Sequence, residues 1–202
     1  MHRGPQESEE VMKFDIVLCG VGGQGGISVS VVIARAAMAE GLRVKQSEVH
    51  GMSQRGGEVL AHLRLSDTEP ASPTIPKGGA SLILSFEPLE GLRYLPWLNA
   101  GTGVLLSATA PIRNMDTYPE TEKVLAELGS VPRVVLLDAD KLAREAGNVK
   151  AANMVLVGAA AKYLPLKAES LEGAIRDLFG RKGEAVVEAN LKAFEYGRTA
   201  NS

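Results

Sequence analysis

Apolar runs alternate with glycine- and proline-bearing breaks along the chain, and their spacing switches between the strand and helix periods. Phe14-Asp15-Ile16-Val17-Leu18-Cys19 is a β-type run that feeds directly into Gly20-Val21-Gly22-Gly23-Gln24-Gly25-Gly26. A helix over 27–40 follows, with Gly41 placed to cap its C-terminus. Residues 42–49 read as a second strand, 51–57 as a loop, and the alternating Val59, Ala61, Leu63 and Leu65 as a third strand. Residues 66–79 hold three of the ten prolines and read as a surface excursion. Beyond it, 80–86 has the unbroken apolar character of a strand covered on both faces, and 87–98 reads as a helix with Pro88 in its first turn.

The second half keeps the rhythm. Strands are expected at 103–107 and 133–137, separated by a helix around 119–128, and Asp138 can cap the helix after the last strand. From about residue 149 the strand signal ends. Val155, Leu156, Ala159, Ala160 and Tyr163 share one helical face, as do Val187, Leu191 and Phe194. There is no internal repeat or low-complexity tract. The pattern predicts an α/β fold: a Rossmann-like, doubly wound, mostly parallel sheet with helices on both faces and a helical C-terminal layer. Residues 1–12 read as a flexible leader and 13–200 as a single domain.

Composition narrows the function classes. A chain of 202 residues, 45% hydrophobic, can bury a real core, and a net charge of −2 provides no field that draws nucleic acid or an anionic membrane. Cys19 is the one cysteine, which excludes an internal disulfide framework, a four-cysteine zinc site or an all-cysteine iron–sulfur cluster within this chain. No apolar run is long enough to cross a bilayer and the acidic start, 1–10, is unlike a signal peptide, so a cytoplasmic location is expected.

Candidate chemistry gathers in two glycine loops. A strand, a glycine turn and a helix in that order present backbone N–H groups to an anion. Gly20, Gly22 and Gly25 have dinucleotide-fingerprint spacing, with Glu48 near the position expected to hold a ribose; no Lys-Ser/Thr follows, which excludes a P-loop. Gly23, Gln24 and Gly26 complete this loop, Gln24 offering a side-chain amide. The bland alternative is a tight turn that only lets helix pack on strand. In the second loop, Arg55 is a permanent planar cation suited to phosphate or carboxylate. Gly56 and Gly57 can join it in an anion nest, and His50, Ser53 and Gln54 add neutral donors. Arg55 could instead pair with Glu48 or Glu58 and merely fix the loop. Both loops are predicted at the carboxyl edge of the sheet, where such folds bind ligands. Glu48 and Glu58 qualify as general bases only if burial raises their pKa. Asp138 and Asp140 read as caps rather than metal ligands, and Asn153 as a helix cap or buried hydrogen-bonding group.

Gly20-Val21-Gly22-Gly23-Gln24-Gly25 together with Val49-His50-Gly51-Met52-Ser53-Gln54-Arg55-Gly56-Gly57 resembles the gamma-type domain of the 2-oxoacid:ferredoxin oxidoreductases. The His-Gly-Met-Ser-Gln-Arg-Gly-Gly version is most similar to the indolepyruvate branch of that family. The likeness extends from Phe14 to about Tyr196 and includes Lys150-Ala151-Ala152-Asn153-Met154 and Gly158-Ala159. It implies a subunit of a complex that oxidatively decarboxylates a 2-oxoacid to an acyl-CoA and passes electrons to ferredoxin. It further implies that thiamine diphosphate, its magnesium and the 4Fe-4S clusters reside in a large partner subunit, with coenzyme A as co-substrate and this chain inactive alone. The single cysteine agrees with that division. A stand-alone nucleotide- or dinucleotide-binding enzyme and a purely structural assembly subunit are the alternative readings; whether the isolated chain forms a homodimer stays open.

Overall fold

The computed structural model describes residues 11–50, 56–113 and 117–200. Most of the expected leader (1–10), the second-loop residues Ser53, Gln54 and Arg55, and the side chain of His50 lie outside the described residues. Six strands, β1 (Lys13–Val21), β2 (Arg43–His50), β3 (Glu58–Ser66), β4 (Leu82–Ser85), β5 (Val104–Ala108) and β6 (Val134–Leu137), form one sheet in the order β2-β3-β1-β4-β5-β6. β1, β4, β5 and β6 pair in parallel, whereas β3 runs antiparallel to both β1 and β2. The mostly parallel sheet therefore carries one reversed strand. Residues 51–57 are fewer than the roughly dozen a parallel crossover needs, so β2 and β3 close as a hairpin.

Helices α1 (Gly26–Ala39), α4 (Ala139–Glu145), α5 (Ala152–Ala160), α6 (Ala168–Phe179) and α7 (Glu184–Ala200) share the core of one sheet face. The shorter α2 (Pro88–Tyr94) and α3 (Thr121–Gly129) cover the other face. The strand period divides the two cores: Ile16 and Leu18 point to the first, Val17 and Cys19 to the second. In α1 the buried Val29, Val32, Ile33, Ala36 and Ala37 trace one helical stripe. Its end is a Schellman turn, with Leu42 N–H bonded to Ala37 O at 3.0 Å, Gly41 N–H to Met38 O at 3.0 Å, and Gly41 at φ 84°.

Two expected elements are shorter and one was not anticipated. The strand read at 80–86 contracts to β4, with Ala80 making only an isolated bridge to Leu98. The helix read at 87–98 is α2 followed by a 3-10 turn at Leu95–Trp97, because the ring of Pro96 supplies no N–H to continue the α-helical ladder. α6 lies within the helical C-terminal layer but matches neither face marked in the sequence. The 66–79 excursion is tied down from beneath. Arg64 donates to both oxygens of its cross-strand partner Asp15 (2.8 and 3.1 Å) and to the carbonyls of Ser72 and Thr74 (3.0 Å each). His62 Nδ1 accepts from Ile75 N–H at 2.9 Å, a role only the neutral ring can fill, and burial lowers the pKa of that ring.

α5 is buried on every side from Met154 to Ala160, so it forms the middle of three layers between sheet and α7. The α5–α7 crossing depends on two glycines. A Cβ on Gly158 would overlap the Phe194 carbonyl, and one on Gly197 would overlap the Val155 carbonyl. Gly158, part of the family likeness in the sequence, is thus a packing residue.

Candidate functional site

The two glycine loops meet. β1 ends at Val21 beside the start of β3, with Val21 opposite Glu58 and Gly20 opposite Val59. Gly22 N–H donates to Gly57 O at 2.8 Å, and Gly56 N–H reaches Gly22 O at 3.5 Å. The second loop is the turn of the β2–β3 hairpin and reaches β1 because β3 is the strand that neighbours it. The shared carboxyl edge thus arises through the reversed strand, not through parallel neighbours.

The first loop is built by a latch. Gln24 Oε1 accepts from Val21 N–H and Gln24 Nε2 donates to Phe86 O, both at 2.7 Å. The amide expected to face a ligand is therefore engaged at both ends, joining the exits of β1 and β4. Gly20 is required there, since a Cβ would come within 2.8 Å of Gln24 Oε1 and 2.9 Å of Phe86 Cβ. Gly25 occupies the N-cap of α1 at φ 81°, and a Cβ on it would lie 2.5 Å from Asn153 Nδ2. Asn153, on the first turn of α5, donates to Gly25 O at 3.3 Å and accepts from Met154 N–H at 3.0 Å. It is half-buried rather than buried, and what its hydrogen bond holds is the glycine loop.

No side chain caps α1 and no acidic residue stands in its first turn, so the first-turn N–H groups and the positive end of the helix dipole face outward. Residues 20–28 with Val59 and Phe86 line a cavity of about 620 Å³. A second cavity of about 510 Å³ shares Gly23, Gln24 and Phe86, and continues past Ile112, Lys150 and Asn153. Both lie where the connections from β1 and β4 leave for opposite faces, the switch point at which open α/β sheets take ligands. Ile27 and Val149 on these cavities, and Val49 near the end of β2, are more than half exposed.

Beside Gly56, Glu58, Glu87, Glu90 and Arg93 line one cavity, with Arg93 paired to Glu58 and Glu90. Burial pushes the Glu90 carboxyl up to about 7, against the opposing pull of Arg93. No pattern in the sequence marks Glu90, because the cause is the packing of α2. Cys19 is fully buried and its thiol is pushed up to about 12, chiefly by desolvation, which makes it an inert core residue and no cluster ligand. Among the described residues no three His, Cys, Asp or Glu side chains are grouped to hold a metal ion. Asp138 caps α4 through Lys141 N–H at 2.9 Å, and Asp140 follows in its first turn. Among the described residues, none are grouped as ligands for an iron–sulfur cluster or for the magnesium of a diphosphate group.

Fold and edge together define a doubly wound α/β domain with a glycine-lined cavity at its switch point. Residues 15–200 match the model of the pyruvate ferredoxin/flavodoxin oxidoreductase family, and the chain belongs to that family. It is 43% identical over 194 residues to the indolepyruvate oxidoreductase subunit IorB of Archaeoglobus fulgidus, covering 92% of this chain and 94% of that protein. With the subunit of the same name from Methanothermobacter thermautotrophicus it shares 38% identity, over 92% of this chain and 96% of the relative. Among solved structures it is similar to the keto/oxoacid ferredoxin oxidoreductase gamma subunit of Geobacter sulfurreducens (27% identity, TM-score 0.69, 93% of this chain and 98% of that one). It shares the fold of part of a 2-oxoglutarate:ferredoxin oxidoreductase from Magnetococcus marinus (23% identity, TM-score 0.74). There it covers 94% of this chain but only 31% of that chain. The homologues are subunits of 2-oxoacid oxidoreductase complexes, and an oxidoreductase-subunit role follows for this chain.

Proposed function

We propose that this chain is the non-cluster, gamma-type subunit of a cytoplasmic arylpyruvate:ferredoxin oxidoreductase, with indolepyruvate as the leading substrate class, and that it is inactive without its large partner. In the reaction the substrate carboxylate leaves as carbon dioxide, the remaining acyl carbon forms a thioester with coenzyme A, and two electrons pass to ferredoxin. Thiamine diphosphate, magnesium and the 4Fe-4S clusters belong to the partner in this reading. This chain contributes the carboxyl edge, where the loop 20–26 and the start of α1 receive an anionic group, a coenzyme A phosphate or a substrate carboxylate. Arg55, Gly56 and Gly57 assist from the second loop, with His50, Ser53 and Gln54 as neutral donors. The observation that carries the proposal is the cavity of about 620 Å³ lined by residues 20–28 at a helix start that no N-cap side chain closes.

Purified alone, the chain should show no 2-oxoacid-dependent ferredoxin reduction. Reconstituted with the large subunit, it should restore turnover that requires indolepyruvate and coenzyme A. Activity of the chain alone, or a complex fully active without it, rejects the proposal. A structural assembly role is the second reading, favoured by the exposed Ile27, Val49 and Val149 around the same edge. Arg55→Ala separates the two. Normal assembly with a raised KM for coenzyme A or 2-oxoacid supports the anion role, whereas normal assembly with normal turnover supports the structural one.

A further inference from the structure

Three carboxylates and one guanidinium line a single cavity beside Gly56. Glu58 opens β3 directly after Gly57, Glu87 is the N-cap of α2, and Glu90 follows in the first turn. From the last turn of α2, Arg93 places Nε 3.0 Å from Glu90 Oε2 and Nη1 3.7 Å from Glu58 Oε2. The first contact is an ion pair by distance but lacks hydrogen-bond alignment. These groups border a cavity of about 230 Å³ that also touches Val21, Gly56 and Tyr118.

The three carboxylates are not equally supported. Glu87 accepts from Glu90 N–H at 3.0 Å, from Ile112 N–H at 3.3 Å and from the Tyr118 hydroxyl. Glu58 accepts from the Tyr94 hydroxyl. Among the described residues the Glu90 carboxyl is paired with Arg93, while its side chain is 8% exposed against 42% for Glu58. Among the described residues, the other titratable or charged groups at the cluster are the uncharged Cys19 thiol on β1 and Arg113, which acts on Tyr118 from the segment before α3. Burial accordingly holds the Glu90 proton up to about pH 7, whereas Glu58 sits at the solvent-facing root of the loop.

We propose that the protonation state of Glu90 decides whether Arg93 neutralises Glu58, so that the clasp between the two glycine loops is pH-dependent. With Glu90 neutral, Arg93 serves Glu58, and the start of β3 is electrostatically quiet. With Glu90 ionised, the guanidinium is held by the nearer and more buried carboxylate, where Coulomb attraction is less screened. Glu58 then keeps its negative charge without Arg93, next to Gly56 and Gly57 and beside the cavity that Glu87 and Glu90 also line, and repulsion loosens the strand end that bonds Gly22. The clasp is tight on the acid side of the Glu90 titration and loose on the alkaline side. The inference concerns the loops themselves and does not rest on which anion they bind.

The test is residue-resolved amide exchange on the full chain from about pH 5.5 to about 8.5, expressed as protection factors so that the intrinsic pH dependence of exchange cancels. Protection at Gly22 and Gly56 should fall several-fold with rising pH, with a midpoint matching the titration of the Glu90 carboxyl carbon followed by NMR. Glu90→Gln should stay protected across the range, and Arg93→Gln should be weakly protected throughout. Equal pH responses in the wild type and Glu90→Gln overturn the proposal, as does a wild-type protein with no response. If Glu90→Gln does not fold, the wild type alone decides: midpoints for Glu90 and the two amides more than about one pH unit apart overturn it.

Discussion

Glycine is indispensable in two regions of this molecule, for different reasons. At the α5–α7 crossing, the atoms that forbid a Cβ on Gly158 or Gly197 are backbone atoms of the facing helix. At the carboxyl edge, a Cβ on Gly20 or Gly25 meets side-chain atoms of Gln24, Phe86 and Asn153. The backbone of a packed helix cannot move without moving a layer, whereas a side chain can turn. The crossing is therefore a rigid part of the scaffold. The edge is a shaped opening whose walls are held by hydrogen bonds that substitution can release.

That contrast predicts a graded set of effects. Gly158→Ala should be the most damaging, destabilising by about 3 kcal/mol through overpacking and lowering Tm by roughly 6–12 °C in calorimetry. A Tm within about 2 °C of wild type would show that the crossing yields as readily as the loop. Gly25→Ala should cost about 2 kcal/mol, part from the left-handed backbone at φ 81° and part from Asn153. Adding Asn153→Ala should recover part of the packing cost and none of the backbone cost, a coupling readable in a double-mutant cycle from urea denaturation. Simple additivity would mean that Asn153 gives way without cost.

The edge should also respond to pH where the crossing does not. The Glu90 carboxyl has a folded pKa of about 7, raised above its ordinary value of 4.5. The native state thus binds more protons than the unfolded chain between those values. Its contribution is fully present below the lower value and is lost as pH rises through about 7. Glu90→Gln should therefore gain about 1–2 kcal/mol relative to wild type on going from about pH 5 to about 8, measured by denaturation at each pH. A constant difference would mean that Glu90 titrates normally. The smallest effect is expected from Gln24→Ala, which releases Val21 N–H and Phe86 O for about 1 kcal/mol. In the reconstituted complex the same variant should raise the KM for an anionic substrate more than it lowers stability, since the loop loses its shape before the fold loses its core.

Much of the fold is readable along the chain because its causes are local. The run into residues 20–26, the Schellman stop at Gly41 and the cap at Asp138 each depend on neighbours within a few positions. The place of β3 beside β1 is not readable: the short 51–57 connection reverses it against β2, but alternating Ala61, Leu63 and Leu65 bury one face whatever strand lies alongside. Gln24 shows the same limit at the site. Its identity as a loop amide is plain, but its engagement with Phe86, 62 positions away, appears only after β4 pairs with β1.

By itself the sequence determined the alternating elements, the uncapped glycine entry to α1, the absence of cluster-forming cysteines and the family likeness. These rest on residue type and short-range geometry, which the chain carries wherever it folds. Tertiary structure alone decided that β3 lies between β2 and β1, bringing Gly57 against Gly22, and that α2 buries Glu90 beside Glu58 and Arg93. Backbone pairing and desolvation depend on what lies alongside in space, and that is set only when distant segments pack.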